Sequence, residues 1–257
     1  MDHEFFSDLV WKSQLGDADA LEQLLLAAYT PVTYLTGRLL ENPQTARQVT
    51  REVLETISVK LNTLNDTDQF DKWMCKMTAA RCVQAMPLHA VSGDEACASD
   101  WDAQFSDGQI LTEQESAQLI QQLVDILPER QRLCILLLCC GELGIHSIAQ
   151  VTGFSCDTVK DSITKGQNAV QNCLWKLQER NIQLTGLTSL SGILRVAMYQ
   201  KPEHQDPIPL VYDVLGKEIP VPPDPQKIII RILTTLLLML VAGILVCSGI
   251  LAIKLLA

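Results

Sequence analysis

The sequence predicts an all-α protein in which two helical lobes are followed by a single C-terminal transmembrane helix. Apolar residues recur every three or four positions along most of the chain, which is the period of an amphipathic helix. Cap residues and glycines divide this pattern into separate helices. A final run from Ile232 to Ile253 has 22 residues without a charge, enough to span roughly 30 Å of hydrocarbon at about 1.5 Å per residue.

The first lobe is predicted over residues 1–86. Asn42 is a favourable cap residue, and Pro43 suits the first turn of a helix. After this pair, apolar residues recur every four positions, which places them on one helical face. That face is predicted to be buried, and it consists of Val49, Val53, Ile57 and Leu61.

An acidic linker is predicted over residues 87–112. No lysine or arginine lies between Arg81 and Arg130, whereas the same stretch carries nine acidic residues. This charge balance is typical of a solvated connection between two helical domains.

The second lobe is predicted over residues 113–181 and begins with a mostly apolar helix. Pro128 suits the first position of this helix, and Glu129 lies near its positive end. Gly141 and Gly144 are predicted to break it.

Two further helices are predicted after this break. A short one fits residues 145–151, Gly153 supplies a turn, and Ser155 caps the next helix. Two helices joined by a tight turn that contains glycine are the plan of a helix-turn-helix, although ordinary core helices have the same pattern. The inward face of the last helix consists of Val159, Ile163 and Val170.

Residues 182–226 are predicted to form an extension and a proline-rich tether. One more amphipathic helix fits residues 184–198. Seven of the eleven prolines lie between Pro202 and Pro225, which favours an extended chain. The middle of this stretch, PLVYDVLGKEIPV, is apolar enough to dock or to form a short strand pair around Gly216.

The transmembrane helix is predicted over residues 227–257, with a buried core helix as the alternative. Lys227 and Arg231 precede the apolar run, whereas Lys254 alone follows it. The positive-inside rule therefore places the N-terminal domains in the cytoplasm. The predicted location is the cytoplasmic membrane, which the chain crosses once.

Enzyme chemistry is not indicated by the sequence. The four histidines lie far apart, the nine cysteines show no CxxC spacing, and no glycine-rich phosphate loop is present. Cys134, Cys139 and Cys140 lie on an apolar helix and are interpreted as small core residues. We therefore predict no catalytic residue, no metal site and no cofactor.

Two stretches of the chain resemble the sigma-70 family of transcription factors, especially its extracytoplasmic-function group. ALEQLLLAAYTPVTYLTGRLL, TARQVTREVLETISVKL and QFDKWMCKM are similar to region 2 of that family. LPERQR, IAQVTGFS and TVK are similar to region 4. The two matches follow the order of the family and cover about two thirds of the chain.

The resemblance implies two binding surfaces and a set of partners. Region 2 would bind core RNA polymerase, and region 4 would bind promoter DNA. The lipid bilayer and an anti-sigma or other regulatory membrane protein are the further partners. The residues implied in polymerase binding are Arg47, Gln48, Arg51, Glu52 and Leu54. Those implied in DNA binding are Ser155, Asp157, Thr158, Lys160, Asp161, Ser162 and Lys165.

Charge and departures from the family pattern weaken the DNA-binding prediction. The net charge is −10, and residues 111–181 carry eight acidic against six basic side chains. Relatives commonly have an arginine where this chain has Ser162, and an alanine where it has Gly166. Relatives also place an acidic pair where this chain has Arg47 and Gln48. Binding of DNA by the protein alone is therefore predicted to be weak.

Two functions remain open at this point. The first is a sigma-like transcription initiation factor tethered to the membrane. The alternative is a degenerate sigma-like membrane scaffold, which acts by protein interaction without promoter binding.

Overall fold

A computed structural model describes residues 3–86, 102–186, 189–200 and 206–218 of the chain. Over these residues the protein is mostly helical, which confirms the all-α prediction. The strands in this part are two residues long: β1 (Ile110–Leu111) pairs in parallel with β2 (Gln183–Leu184).

The described N-terminal part of the chain forms four α-helices, of which the second and third begin at side-chain caps. They are α1 (His3–Gln14), α2 (Ala18–Leu39), α3 (Pro43–Lys60) and α4 (Phe70–Ala85). Asp17 accepts hydrogen bonds from two backbone N–H groups at the start of α2, and Asn42 does the same for α3. The four residues predicted to line the inner face of α3 and its end are all buried, as the spacing requires.

The second group of helices includes two that are joined by a glycine turn, at the positions that the sequence predicts. The helices are α5 (Glu113–Asp125), α6 (Glu129–Cys139), α7 (Ile145–Thr152) and α8 (Cys156–Glu179). Pro128 caps α6 instead of occupying its first position, because its ψ of 141° is extended. Gly144 precedes α7, and Gly153 ends it with a φ of +76°, which glycine adopts without strain.

The region after α8 contains two short helices, α9 (Leu190–Tyr199) and α10 (Ile208–Leu215). Residues 208–215 are therefore helical instead of an extended tether. Pro207 suits a helix start, Gly216 ends the helix with a φ of +63°, and the residues between are mostly apolar. Of the two alternatives for this stretch, the structure has the docked form and not the strand pair, since Leu210 and Val211 are buried.

The two predicted lobes share one core in the structure. The described residues up to Lys217 form one compact unit, in which α4 packs on α7, and α2 packs on α6 and α9. Arg38 of α2 ion-pairs with Asp125 of α5 and donates a 2.6 Å hydrogen bond to Gln121. The helical groups merge because their apolar faces are buried against each other within a single cluster of buried side chains.

Part of the predicted acidic linker is also packed. Arg180, just after α8, donates hydrogen bonds to the carboxylate of Asp107 at 2.7 Å and to the carbonyl oxygen of Asp102 at 2.7 Å. Residues 102–112 are therefore tied to the end of α8, whereas residues 87–101 lie outside the described part of the chain.

The predicted transmembrane helix, residues 227–257, lies outside the described residues. Among the helices that the structure describes, none is both long enough and apolar enough to cross a membrane.

Candidate nucleic-acid and polymerase interfaces

The helix expected to bind DNA, α8, presents one side of its N-terminal half to solvent. We call this side the α8 surface; its exposed residues are Asp157, Lys160, Asp161, Thr164 and Lys165. Ser155 positions the start of the helix, because its Oγ accepts a 3.1 Å hydrogen bond from the backbone N–H of Thr158. The left-handed turn at Gly153 sets the direction of α8 relative to α7.

The opposite side of α8 fits closely against α6. Val159, Ile163 and Val170 are buried there, as predicted. Gly166 lies so close to α6 that a Cβ atom at this position would be 3.0 Å from Cγ1 of Ile135. The absence of a Cβ atom at Gly166 therefore allows a close approach of the two helices.

The structure separates the predicted DNA-binding residues into three groups. Asp157, Lys160, Asp161 and Lys165 are exposed on the α8 surface. Ser155 and Thr158 lie at the start of the helix, and their hydroxyl oxygens are 2.8 Å apart. Ser162 is only 4% exposed, and its hydroxyl donates to the carbonyl oxygen of Thr158 at 2.7 Å. The Ser162 side chain therefore supports the helix from inside instead of reaching its outer surface.

The charges on the α8 surface balance. Lys165 pairs with Asp161 at 2.9 Å, whereas Lys160 forms no ion pair with another described residue. Two lysines and two aspartates on one side of a helix do not make the continuous positive surface that is typical of proteins that bind DNA unaided.

Two arginines near the start of α6 are engaged inside the protein. The guanidinium of Arg130 lies 5.6 Å from the ring centroid of Phe154, a cation–π arrangement. Arg132 donates a 2.8 Å hydrogen bond to the carbonyl oxygen of Asp125. Both side chains make contacts within the protein, so among the described residues the unpaired positive charge of the α8 surface is that of Lys160.

The helix expected to bind the polymerase, α3, also has a solvent-facing side. We call it the α3 surface, and it consists of Arg47, Gln48, Arg51 and Glu52. The first three are exposed and Glu52 is half-buried. Leu54, the fifth predicted residue, is 0% exposed and lies in the core. Its side chain supports α3 from beneath and does not reach this surface.

The polar groups of the α3 surface are partly paired. Arg51 contacts Glu55 at 2.8 Å and Asp213 of α10 at 3.1 Å. Gln48 donates a 3.1 Å hydrogen bond to Glu52. Arg47 has no ion pair within the described parts of the chain and is open to a partner.

The helix α10 docks beside the α3 surface. The sequence analysis allowed this stretch to dock but did not predict where. The phenol of Tyr212 donates to Glu22 of α2 at 2.7 Å, and the ammonium of Lys217 donates to the same carboxylate at 2.6 Å. Both hydrogen bonds lower the pKa of Glu22 below its ordinary value, and the bond from Lys217 has the larger effect. The apolar run in residues 208–215 was the available signal, but it did not reveal where the helix docks.

A cavity of about 630 Å³ lies where α2, α3 and α10 meet. Arg47 and Thr50 of α3 line it on one side, and Pro209 and Leu210 of α10 line it on another. The contact between α10 and α3 is therefore incomplete, with open space beside the α3 surface.

A second group of charges, also missed, joins α4 to α9. Arg195 of α9 is 3.6 Å from Asp71 of α4, and it also pairs with Glu142, which follows α6. Lys72 approaches Glu142 at 4.0 Å. Glu142 has a φ of +49°, which is unusual for a residue other than glycine. The cluster ties the end of α6 to helices on either side of it.

The cysteines of α6 are buried, in agreement with their interpretation as core residues. Burial raises the pKa of Cys134 and that of Cys139 to about 11. At neutral pH these thiols are protonated and weakly nucleophilic. In the described part of the chain, no three His, Cys, Asp or Glu residues are grouped so that they could hold a metal ion.

Comparison with family models and with curated proteins found no match for this chain.

Proposed function

We propose that this protein is a sigma-like transcription initiation factor, which binds core RNA polymerase and promoter DNA while residues 227–257 tether it to the membrane. The observation that carries the proposal is the helix-turn-helix of α7 and α8. Its turn is formed by Gly153, its second helix is capped by Ser155, and that helix exposes one side along its N-terminal half. This geometry places an exposed helix where a major groove could receive it.

The N-terminal helices support the polymerase part of the proposal. Residues whose sequence is similar to region 2 form α2, α3 and α4, which pack as a bundle. Arg47, Gln48 and Arg51 are exposed on the α3 surface, so they are available to a partner protein. A weakly charged α8 surface is compatible with this function if polymerase supplies most of the affinity for the promoter.

The polymerase part is tested by titrating the full chain, in detergent micelles, against core RNA polymerase from the same organism. We expect Arg47→Glu to weaken association about tenfold, which corresponds to about 1.4 kcal/mol. Lys60→Glu is the matched control, because Lys60 is an exposed residue of α3 outside the α3 surface. If neither the wild type nor any variant described below associates with polymerase, the proposal is wrong.

The DNA part is tested by transcription from a pool of duplexes with a randomised upstream promoter element. We expect polymerase that carries this protein to select and open a subset of the pool. Selection should be lost without the protein.

A second candidate function, a membrane scaffold that acts by protein interaction, is favoured by one observation. The pairing of Lys165 with Asp161 leaves the α8 surface with balanced charge, which suits a protein partner better than DNA. Association with polymerase without selection or opening of any duplex would support this candidate.

The membrane tether is proposed from the 22 uncharged residues between Ile232 and Ile253. We expect the full chain to stay with membranes during alkaline extraction and a chain that ends at residue 226 to be released. Release of both would contradict the tether.

A further inference from the structure

The short helix α10 lies across one edge of the α3 surface. We propose that α10 competes with core RNA polymerase for the α3 surface, so that the groove between α2 and α3 holds either α10 or the polymerase. This inference rests on the proposed function, since it takes polymerase as the partner of α3.

The apolar part of the contact places α10 in the groove. Leu210 is 8% exposed and Val211 is 0% exposed, although both belong to a helix of eight residues at the edge of the described structure. The helix α10 packs against both α2 and α3. An isolated helix of this length is not stable in water, so the groove itself keeps α10 helical.

The polar part of the contact uses a residue of the α3 surface. Asp213 lies 3.1 Å from Arg51, so a carboxylate of α10 occupies the guanidinium that a partner's carboxylate would need. At the other edge of α10, Glu22 of α2 receives hydrogen bonds from Tyr212 and Lys217. Glu22 is ionised at neutral pH, and the hydrogen bonds from Lys217 and Tyr212 lower its pKa further below the ordinary value.

The contact of α10 with α2 and α3 also has features that allow α10 to dissociate. The Arg51 and Asp213 side chains are 49% and 58% exposed, so solvent weakens their attraction. The cavity beside Leu210 leaves part of the groove unfilled. A partner that binds only the open form has its apparent affinity reduced by the fraction of molecules in which α10 is released.

The main test compares two valine-to-aspartate changes in the full chain. Val211→Asp places a charge in the groove and should release α10, whereas Val196→Asp makes the same change at an exposed site on α9. If about one molecule in ten is open in the wild type, Val211→Asp should tighten polymerase binding about tenfold. Val196→Asp should leave it unchanged. Hydrogen exchange over residues 208–215 should accelerate in the first variant alone.

A charge exchange provides a second test without an apolar change. Glu22→Lys removes the acceptor of Tyr212 and Lys217, so it should release α10 and tighten polymerase binding. Adding Lys217→Glu to the same chain restores an opposite pair and should return the affinity towards that of the wild type.

The outcomes separate the inference from the proposed function. If exchange over α10 accelerates in Val211→Asp but polymerase affinity stays the same or falls, the competition is wrong while the proposed function stands. If none of the chains binds polymerase, the proposed function is wrong and the competition fails with it. If exchange over α10 is already complete in the wild type, the docking itself is wrong.

Discussion

The α3 surface and the α8 surface differ in what limits them. On the α3 surface, Arg47 has no ion pair with another described residue, but its neighbour Arg51 is paired with Asp213, and α10 lies across the edge of the surface. The α8 surface is open to solvent, but Lys165 is neutralised by Asp161. Binding at the α3 surface is therefore limited by access, whereas binding at the α8 surface is limited by its charge. Under the proposed function, α10 is released before polymerase binds at α3, and polymerase supplies most of the affinity for DNA at α8.

The largest expected effect concerns the support beneath the α3 surface. Leu54→Ala removes a fully buried side chain, and we expect a loss of about 2–5 kcal/mol in the free energy of unfolding. Arg47→Ala, on the same helix but exposed, should change it by no more than about 0.5 kcal/mol. Urea unfolding followed by circular dichroism measures both. Equal effects would show that Leu54 lies at the surface in solution.

A smaller effect is expected where α8 meets α6. Gly166→Ala places a Cβ atom 3.0 Å from Ile135, and overpacking of this kind costs about 1–3 kcal/mol. The matched change is Gly37→Ala in α2, where a Cβ atom would meet nothing within 4 Å. At Gly37 the better helix propensity of alanine should raise the free energy of unfolding by up to about 1 kcal/mol.

The same urea measurement distinguishes these two glycine variants. Stabilisation by both would mean that α8 and α6 are less closely packed than the position of Gly166 indicates.

The smallest expected effect concerns phosphate contacts at the α8 surface. Lys160→Ala should lower promoter binding by the polymerase complex more at low salt than at high salt. It should reduce the slope of log affinity against log salt by about 0.9 for one lost phosphate contact. Lys165→Ala should reduce that slope less, because Asp161 already neutralises Lys165.

Binding is measured over a range of salt concentrations, with Lys60→Ala as the control on α3. An unchanged salt profile for Lys160→Ala would contradict a phosphate contact at this residue. Equal changes for Lys160 and Lys165 would mean that the pair with Asp161 breaks on DNA.

Much of the secondary structure could be predicted from short stretches of sequence. Asn42 and Pro43 predicted the start of α3, and Gly153 with Ser155 predicted the turn between α7 and α8. The inward residues of both helices followed from their spacing. Pro128 was misplaced by one residue, and the helix α10 was interpreted as part of an extended tether, because proline content was given more weight than the apolar residues between the prolines.

The candidate site was predicted less completely. The family resemblance assigned Leu54 and Ser162 to binding surfaces, but both are buried, since a resemblance in sequence does not state which side of a helix faces outward. The neutralisation of Lys165 could be anticipated from the i, i+4 spacing of Asp161. The docking of α10 across the edge of the α3 surface could not be anticipated in this way.

By itself, the sequence determined the start of α3, the turn between α7 and α8, and the buried faces of α3 and α8, because these depend on residues close together in the chain. Only the tertiary structure decided that the two predicted lobes share one core and that α10 docks on α2 and α3. Tyr212 and Glu22 are 190 residues apart in the chain, and nothing local to either predicts their hydrogen bond. Such pairs form where the packing of apolar faces brings distant segments together, and that packing is a property of the whole fold.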